Sequence, residues 1–191
     1  MCAVAVILSG CGVRDGSEIH ESICTLLALS KMGVDNIKCY APNIPQSDVI
    51  NHLENTTLEG ETRNVLIESA RIARGKIEDI TKLDIETTDA VIFPGGAGVI
   101  KNLCTYQTDG INCNINADIE RIIVKMHKAS KPIGALCIAP LMIAITLGRK
   151  GIKGTVTIGN DKEIAKQIES VGFRHIECPV RQCLLTTKIN S

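Results

Sequence analysis

Aromatic side chains are scarce in this sequence, which has no tryptophan, two phenylalanines and two tyrosines among its 191 residues. Few rings are therefore available to stack on a flavin. The glycine-rich segment 94–98 lacks the third glycine of a dinucleotide-binding fingerprint, and the GxxxxGK[ST] pattern of a phosphate-binding loop is absent. The sequence thus predicts neither a nucleotide nor a flavin, and we expect no cofactor.

A charge of one sign is also lacking, because 21 lysines and arginines balance 21 aspartates and glutamates. Binding to nucleic acid or to an anionic membrane usually needs a positive surface. No apolar run approaches the roughly 20 residues that cross a bilayer. The first ten residues, MCAVAVILSG, carry no basic leader, which predicts no signal or transit peptide. These absences predict a cytoplasmic protein with no nucleic-acid or membrane partner.

The nine cysteines include no CxxC pair, and their odd number does not suit a disulfide framework. Most of them lie in apolar runs, where a thiol behaves as a small hydrophobic group. The four histidines do not cluster with cysteines at the spacing of metal ligands. We therefore expect free thiols in a reducing compartment and no metal site.

Short apolar runs alternate with helical patterns along the whole chain. Continuous apolar character, as in Ala3–Leu8, is typical of a strand buried on both faces of a parallel sheet. Residues 46–63 and 76–88 are predicted connections, and Ser17 is the predicted cap of the first helix. This alternation predicts one α/β domain over residues 1–191, a mostly parallel sheet with helices on both faces. The predicted strands are 3–8, 37–41, 89–93, 133–136, 155–158 and 176–178, with a last edge strand at 184–187.

Three loops follow predicted strands, so they meet at the carboxyl edge of the sheet, where ligands bind in such folds. They are 9–17, 94–98 and the turn at Cys137. Cys137 lies between a predicted strand and a predicted buried helix, an arrangement that presents a nucleophile. The start of that helix favours a thiolate.

Each of these features has a purely structural interpretation. A cysteine in an apolar run is more often a buried structural thiol, and glutamates in the first turn of a helix are usually solvated. Together, a thiol at a helix start, a carboxylate of the first helix (Glu18 or Glu21) and the Gly95–Gly96 corner supply a nucleophile, an acid/base group and oxyanion donors. The combination favours a reactive site.

Four segments give the sequence a family resemblance. It is similar to the ElbB family of isoprenoid-biosynthesis, amidotransferase-like proteins, within the ThiJ/PfpI superfamily of class I glutamine amidotransferase-like domains. The segments are VILSGCGVRDGSEIHE, EGETRNVLIESARIARGKI, VIFPGGAGVIKNL and KPIGALCIAP. The resemblance implies a flavodoxin-like, doubly wound α/β domain, and it implies a homodimer.

The resemblance also implies roles for single residues. Cys137 matches the elbow cysteine, and Glu21 matches the carboxylate that hydrogen-bonds it. Gly96 and Ile138 match the two backbone N–H donors of an oxyanion pocket. Two further residues are accessory candidates by position: Cys11, after the first strand, as a resolving thiol, and His20, beside Glu21, as a general base.

The sequence departs from the superfamily pattern in two places. Residues 157–160, at the end of the predicted fifth strand, lack the histidine that many members have after this strand, which argues against a Cys–His dyad and its proteolytic or glutaminase chemistry. Relatives also continue past the last strand with a Thr-Thr-Pro-aromatic segment and a helix, and this chain has Thr186-Thr187-Lys188 there. We therefore expect the domain over residues 1–191 to lack that helix, either because the protein is naturally short or because its end was lost.

Three functions follow from these residues and the resemblance. The first is a cofactor-free enzyme that converts glyoxal or methylglyoxal to a 2-hydroxy acid through a hemithioacetal on Cys137. The second is a non-enzymatic regulator that senses a metabolite or the oxidation of Cys137. The third is an amidotransferase-like accessory protein of isoprenoid biosynthesis.

Overall fold

A five-stranded parallel sheet forms the centre of the molecule. The computed structural model describes residues 2–186 of the chain. In chain order its strands are β1 (Ala3–Ile7), β2 (Asn36–Ala41), β3 (Ile50–Asn51), β4 (Thr56–Thr57), β5 (Ile77–Asp79), β6 (Ala90–Phe93), β7 (Ile133–Ala135), β8 (Thr155–Val156) and β9 (Arg174–His175). Its α-helices are α1 (Ile19–Lys31), α2 (Val65–Ile72), α3 (Gly98–Lys101), α4 (Tyr106–Asp109), α5 (Ala117–Lys128), α6 (Ala139–Gly148) and α7 (Lys162–Ser170).

The strands of the central sheet lie in the order β5-β2-β1-β6-β7, and each neighbouring pair is parallel. The chain builds outward from β1 in one direction through β2 and β5, and in the other through β6 and β7. The order therefore reverses between β1 and β6, which is where open α/β sheets hold their ligands. This topology confirms the predicted doubly wound α/β class.

Side chains of the sheet alternate between two apolar clusters, one on each face. Ile7 and Phe93 pack on one face with the buried stripe of α5 and with α6. Val6 and Leu8 pack on the other face with α2 and with the half-buried leucines of α1. Burial of each such aliphatic or aromatic side chain contributes about 1.5–3 kcal/mol, so the sheet is stabilised from both sides.

Helix α6 has no polar face. Nine of its ten residues are buried, and Leu141 and Ile145 are completely inaccessible to solvent. A helix that is apolar all round belongs in the interior, and α6 lies between α5, α7 and the sheet. The N-terminus of α6 is consequently held rigidly below the edge of the sheet.

Several predicted elements differ from the structure. The predicted connection 76–88 contains β5, which pairs with β2 at the edge of the sheet. The predicted loop 46–63 contains the β3–β4 hairpin. The predicted strand 176–178 lies two residues earlier, as β9, and pairs with β8 in a separate two-stranded sheet. Residues 184–186 form no strand, and Thr187 lies outside the described residues. Within residues 2–186 no helix is long and apolar enough to cross a membrane.

Candidate functional site

The turn at Cys137 is strained in the way a nucleophile elbow requires. Cys137 follows β7 by two residues and adopts a positive φ of 53°, a conformation that costs a non-glycine residue about 1–3 kcal/mol. The turn is fixed on both sides of Cys137. Leu136 donates from its backbone N to Phe93 O (3.0 Å), and Ala139 donates to Leu136 O (2.9 Å). The strain is therefore balanced by bonds to the sheet and helix, and the Cys137 residue is exposed.

Three groups act directly on the Cys137 sulfur. The backbone N–H groups of Gly96 and Ile138 donate to it, and the Glu21 carboxyl group is hydrogen-bonded to it. Ile138 is the N-cap of α6, whose first N–H groups have no side-chain acceptor of their own. Two N–H donors, from the loop after β6 and the start of α6, and one carboxyl group, from the first turn of α1, thus converge on one sulfur.

The pKa of the Cys137 thiol lies above its ordinary value. Partial burial of the sulfur is the main cause, and the charge and hydrogen bond of Glu21 add to it. The N–H groups of Gly96 and Ile138 act in the opposite direction and do not outweigh them. The start of α6 therefore acts on the sulfur in the expected direction, through the Ile138 N–H, but burial and Glu21 outweigh it.

Glu21 is held in place by a reciprocal set of bonds between α1 and the loop after β6. The Gly95 N–H donates to Glu21 Oε2 (2.7 Å), and the Glu18 N–H donates to Gly95 O (2.9 Å). Glu18 is also the N-cap of α1, because its Oε2 accepts from the Glu21 N–H (2.7 Å). The carboxyl group that contacts the sulfur is therefore oriented by α1 and by the loop after β6.

The two glycines of this corner are needed for close approach. A Cβ on Gly95 would lie 2.5 Å from the Cys137 Cβ and 2.6 Å from Glu21 Oε2. Gly96 has a φ of 98°, and a Cβ there would lie 2.4 Å from Gly16 O. A side chain at either position would displace the backbone that forms the pocket.

Ser17 and Asn102 anchor the loop after β1, a role that the sequence does not predict for either residue. Asn102 is 7% exposed and donates from Nδ2 to Ser9 O and to Asp15 O, both at 2.8 Å. The prediction that Ser17 caps α1 is wrong. The cap is Glu18, and the Ser17 Oγ instead accepts from the Ser9 N–H (2.8 Å). The sequence signal for Asn102 is a polar residue in an otherwise apolar segment, VIKNL.

The accessory candidates Cys11 and His20 have partners of their own. His20 is 91% exposed in its side chain, and its Nδ1 lies 3.0 Å from Glu18 Oε1, which raises the pKa of His20. Cys11 is half-buried beside Glu68 and Arg71 of α2, and burial is the main cause that raises its thiol pKa. The groups that act on Cys11 thus differ from those that act on Cys137. Both residues remain proposals as site residues.

The region after β8 holds a histidine from a different strand. His175 of β9 accepts at Nε2 from the Ile158 N–H (3.3 Å). Lys101, which follows the glycine-rich loop, forms a salt bridge with Asp48, with an Nζ–Oδ2 distance of 2.8 Å. The charge of its ammonium group is therefore already paired with a carboxylate. Among residues 2–186 no group of three or more His, Cys, Asp or Glu side chains is placed to hold a metal ion.

Comparisons with known proteins agree with this fold. No protein-family model matches the chain. A curated human relative, the mitochondrial glutamine amidotransferase-like class 1 domain-containing protein 3, is 46% identical over 181 residues, with 90% of this chain and 66% of the relative covered. The mitochondrial ES1 protein of Danio rerio is 36% identical over 188 residues, with 90% and 68% covered.

Solved structures give the same answer. An isoprenoid biosynthesis protein with an amidotransferase-like domain from Ehrlichia chaffeensis is 40% identical, with a TM-score of 0.85, and the match covers 94% of this chain and 80% of that one. A ThiJ/PfpI domain protein from Brachyspira murdochii shares the fold with a TM-score of 0.56 at 13% identity, over 96% of this chain and 82% of that one.

This chain belongs to the family of amidotransferase-like proteins that includes the Danio rerio ES1 protein and the Ehrlichia chaffeensis protein, and it has the ThiJ/PfpI fold. It spans 66% of the length of the human relative. The human, rat and zebrafish relatives are all named as mitochondrial proteins. These names contradict the predicted cytoplasmic location, which rested on a missing N-terminal leader and is wrong by this comparison.

Proposed function

We propose that this protein is a cofactor-free enzyme in which Cys137 adds to a small 2-oxoaldehyde and yields a 2-hydroxy acid. One observation carries the proposal: an exposed thiol at a strained turn contacts a carboxyl group and two backbone N–H donors. This set matches the needs of addition to a carbonyl group. The charged group that acts on the sulfur is Glu21, so an uncharged substrate suits the site better than an anionic one.

The reaction begins with transfer of the Cys137 thiol proton to Glu21 as the sulfur attacks the aldehyde carbon. The carbonyl oxygen becomes an oxyanion, which the Gly96 and Ile138 N–H groups stabilise. One such donor typically lowers a barrier by about 3–4 kcal/mol. Glu21 returns the proton to this oxygen, which gives the hemithioacetal and leaves Glu21 ionised.

Glu21 then moves a proton between the two carbons of the former dicarbonyl. The carbon bonded to sulfur loses its hydrogen and becomes the thioester carbonyl, while the neighbouring carbonyl becomes a hydroxyl-bearing carbon. Water hydrolyses the thioester, releases the 2-hydroxy acid and restores the Cys137 thiol. The sum is addition of one water to the 2-oxoaldehyde, so no redox partner is needed.

The test is formation of glycolate from glyoxal and of lactate from methylglyoxal. Cys137→Ala and Glu21→Gln are each expected to lower kcat/KM by at least 100-fold, since each removes a reacting group. Cys24→Ala is the matched control, because it removes an exposed free thiol of α1 and should leave the rate unchanged. Wild-type turnover by both site variants would disprove the mechanism.

A second candidate function is an accessory role in isoprenoid biosynthesis, and with it membership in the ElbB family. It is favoured by the name of the Ehrlichia chaffeensis relative, an isoprenoid biosynthesis protein. Three histidines have partners away from the sulfur, because His20 contacts Glu18, His52 contacts Ile50 and His175 contacts Ile158. A glutaminase assay tests this role. Release of ammonia from glutamine would support it, and Cys137 would then have to be activated by a group other than these three histidines.

The homodimer also stays a proposal, and the surface of α1 supports it. Ile19, Ile23 and Leu27 lie one turn apart and are 42%, 44% and 51% exposed. An apolar stripe of this kind on a monomer is a common sign of an interaction surface. A twofold axis would bring the same stripe of two copies together.

A further inference from the structure

Two buried cysteines contact each other outside the Cys137 site. Cys104 and Cys113 lie on two short extended segments that run antiparallel, with Cys104 opposite Ile115, and two backbone hydrogen bonds of 2.9 Å join the segments. Cys104 is 4% exposed and Cys113 is 0% exposed, within the same apolar cluster. Both are free thiols, and the two side chains are hydrogen-bonded to each other. The fold therefore holds two thiols side by side.

We propose that Cys104 and Cys113 are a redox-active pair that a hydroperoxide converts to an intramolecular disulfide, and that this change weakens the Gly96 donor at Cys137. Eight residues separate the two cysteines, so the bond closes a short loop that the antiparallel segments already bring together. A disulfide needs a Cα separation of about 4.4–6.8 Å. Cys104 lies opposite Ile115, so Cys113 is its diagonal neighbour, at a separation of about 7–8 Å, and the bond needs a small movement of the loop between them.

The chemistry balances with the hydroperoxide as the oxidant. One sulfur attacks the O–O bond, which breaks to release an alcohol or water, and the sulfur becomes a sulfenic acid. The second thiol attacks that sulfur, the S–S bond forms and water leaves. The two thiols lose two protons and two electrons, and the hydroperoxide is reduced. A dithiol reductant returns the pair to its starting state.

The surroundings make this oxidation slow. Burial raises the pKa of Cys104 to about 12, so little thiolate is present at neutral pH. Arg149 also fastens the loop, because its guanidinium donates to Cys113 O (2.7 Å) and to Ile111 O (2.8 Å). An oxidant reaches the sulfurs when this loop opens. The pair therefore responds to sustained oxidation rather than to a brief pulse.

A chain of hydrogen bonds connects the pair to the Cys137 site. The Cys104 thiol donates to Val99 O (3.4 Å), the Val99 N–H donates to Gly96 O (3.1 Å), and the Gly96 N–H donates to the Cys137 sulfur. A disulfide has no S–H group, so oxidation removes the donor to Val99 O. Because α3 has only four residues, a change at its end reaches the glycine corner directly.

The consequence for Cys137 has a definite direction. The Gly96 N–H lowers the pKa of the Cys137 thiol, since it stabilises the thiolate. If oxidation of the pair weakens that donor, less thiolate forms and Cys137 reacts more slowly with electrophiles. This readout needs no substrate, so the inference and the proposed aldehyde chemistry fail independently.

The experiment compares the reduced protein with protein treated with tert-butyl hydroperoxide. Peptide mass spectrometry under non-reducing conditions should find the Cys104 and Cys113 peptides linked, with the loss of two hydrogens. The Cys137→Ser variant is mapped in parallel so that Cys137 cannot exchange disulfides. In wild-type protein freed of oxidant, we expect the linked fraction to alkylate at Cys137 at least threefold more slowly with iodoacetamide, and dithiothreitol to restore the rate.

The control variant is Cys113→Ala, which keeps the Cys104 donor to Val99 O but cannot form the disulfide. Its Cys137 alkylation rate should be unchanged by the same treatment, once the fraction oxidised at Cys137 itself is excluded by intact mass. Absence of the linked peptide after prolonged treatment of wild-type protein would overturn the proposal. Linkage with an unchanged Cys137 rate would overturn the coupling to Gly96, and the wild-type measurements hold even if the variant fails to fold.

Discussion

The surroundings of Cys137 shift the pKa of its thiol in two opposite directions. The carboxyl group of Glu21 and partial burial raise its pKa, whereas the Gly96 and Ile138 N–H groups lower it. The N–H groups would serve equally well as donors to an oxyanion, because they come from backbone that the sheet and α6 hold in position. The carboxyl group and the backbone donors therefore act on the same sulfur in opposite directions.

Replacement of Glu21 should change the pH at which Cys137 becomes reactive. Glu21→Gln removes a negative charge that disfavours the thiolate, so the thiol pKa should fall. We expect the pH profile of iodoacetamide alkylation at Cys137 to shift to lower pH in this variant, while aldehyde turnover is lost. A profile that stays in place or moves to higher pH would mean that Glu21 does not control the sulfur.

At the scale of elements, the first turn of α1 carries both the cap of the helix and the site. Glu18 caps the helix at the Glu21 N–H and binds Gly95 O through its own N–H. Burial raises the pKa of Glu18, but His20 and the Glu21 N–H outweigh it and hold that pKa below its ordinary value. The bonds of the Glu18 carboxylate therefore stabilise the fold above its unfolded-state pKa, and this contribution is lost as the pH falls through its lower folded-state pKa.

Removal of the cap should cost stability in a pH-dependent way. We expect Glu18→Ala to destabilise the fold by about 1 kcal/mol at neutral pH, which lowers the Tm by roughly 2–4 °C. The difference from wild type should shrink in acid as the wild-type carboxylate is protonated. Glu18→Gln keeps an acceptor and should lie between the two. Thermal unfolding at pH 7 and pH 4 checks this, and an equal loss at both pH values would contradict it.

The central strands are predictable from the sequence because they are continuous apolar runs. Features that depend on a side-chain partner far along the chain are not predictable in this way. Strands β1 and β6 are unbroken apolar runs, so their positions follow from sequence. Strand β5 has the sequence Ile-Glu-Asp and lies at the edge of the sheet. One half-buried isoleucine is sufficient for packing there, so the sequence contains no apolar run that would predict the strand. Ser17 looked like a helix cap because its partner Ser9 is eight residues away. The position of Cys137 followed from a local pattern, but its pKa depended on Glu21, 116 positions earlier in the numbering.

At the scale of the whole molecule, the site and the exposed stripe of α1 share one helix. Ile19 lies between Glu18 and Glu21 in sequence, and Ile23 follows one turn later. A partner copy on this stripe would therefore cover surface next to the Cys137 site. Dimerisation and access to the thiol would then be linked, because the same helix contributes to both.

Disruption of the stripe tests the dimer. We expect wild-type protein to run as a dimer in size-exclusion chromatography with light scattering at micromolar concentration. Ile23→Glu should run as a monomer, because the two introduced glutamates would carry like charges opposite each other across the twofold axis of a buried interface. Ile67→Glu is the matched control, because Ile67 is an exposed apolar residue of α2 at 67% exposure. A monomeric wild type, or a dimer that survives Ile23→Glu, would disprove this interface.

The all-apolar surroundings of α6 also bear on how the family could diversify. A helix with no solvent-facing position leaves little room for tolerated substitution, because each change alters a packed neighbour. The Ile138 N–H donor belongs to the N-terminus of that helix, so few tolerated substitutions could move it. Substitutions that change specificity would therefore be better tolerated outside α6 and outside the Gly95–Gly96 corner, for example in the region after β8.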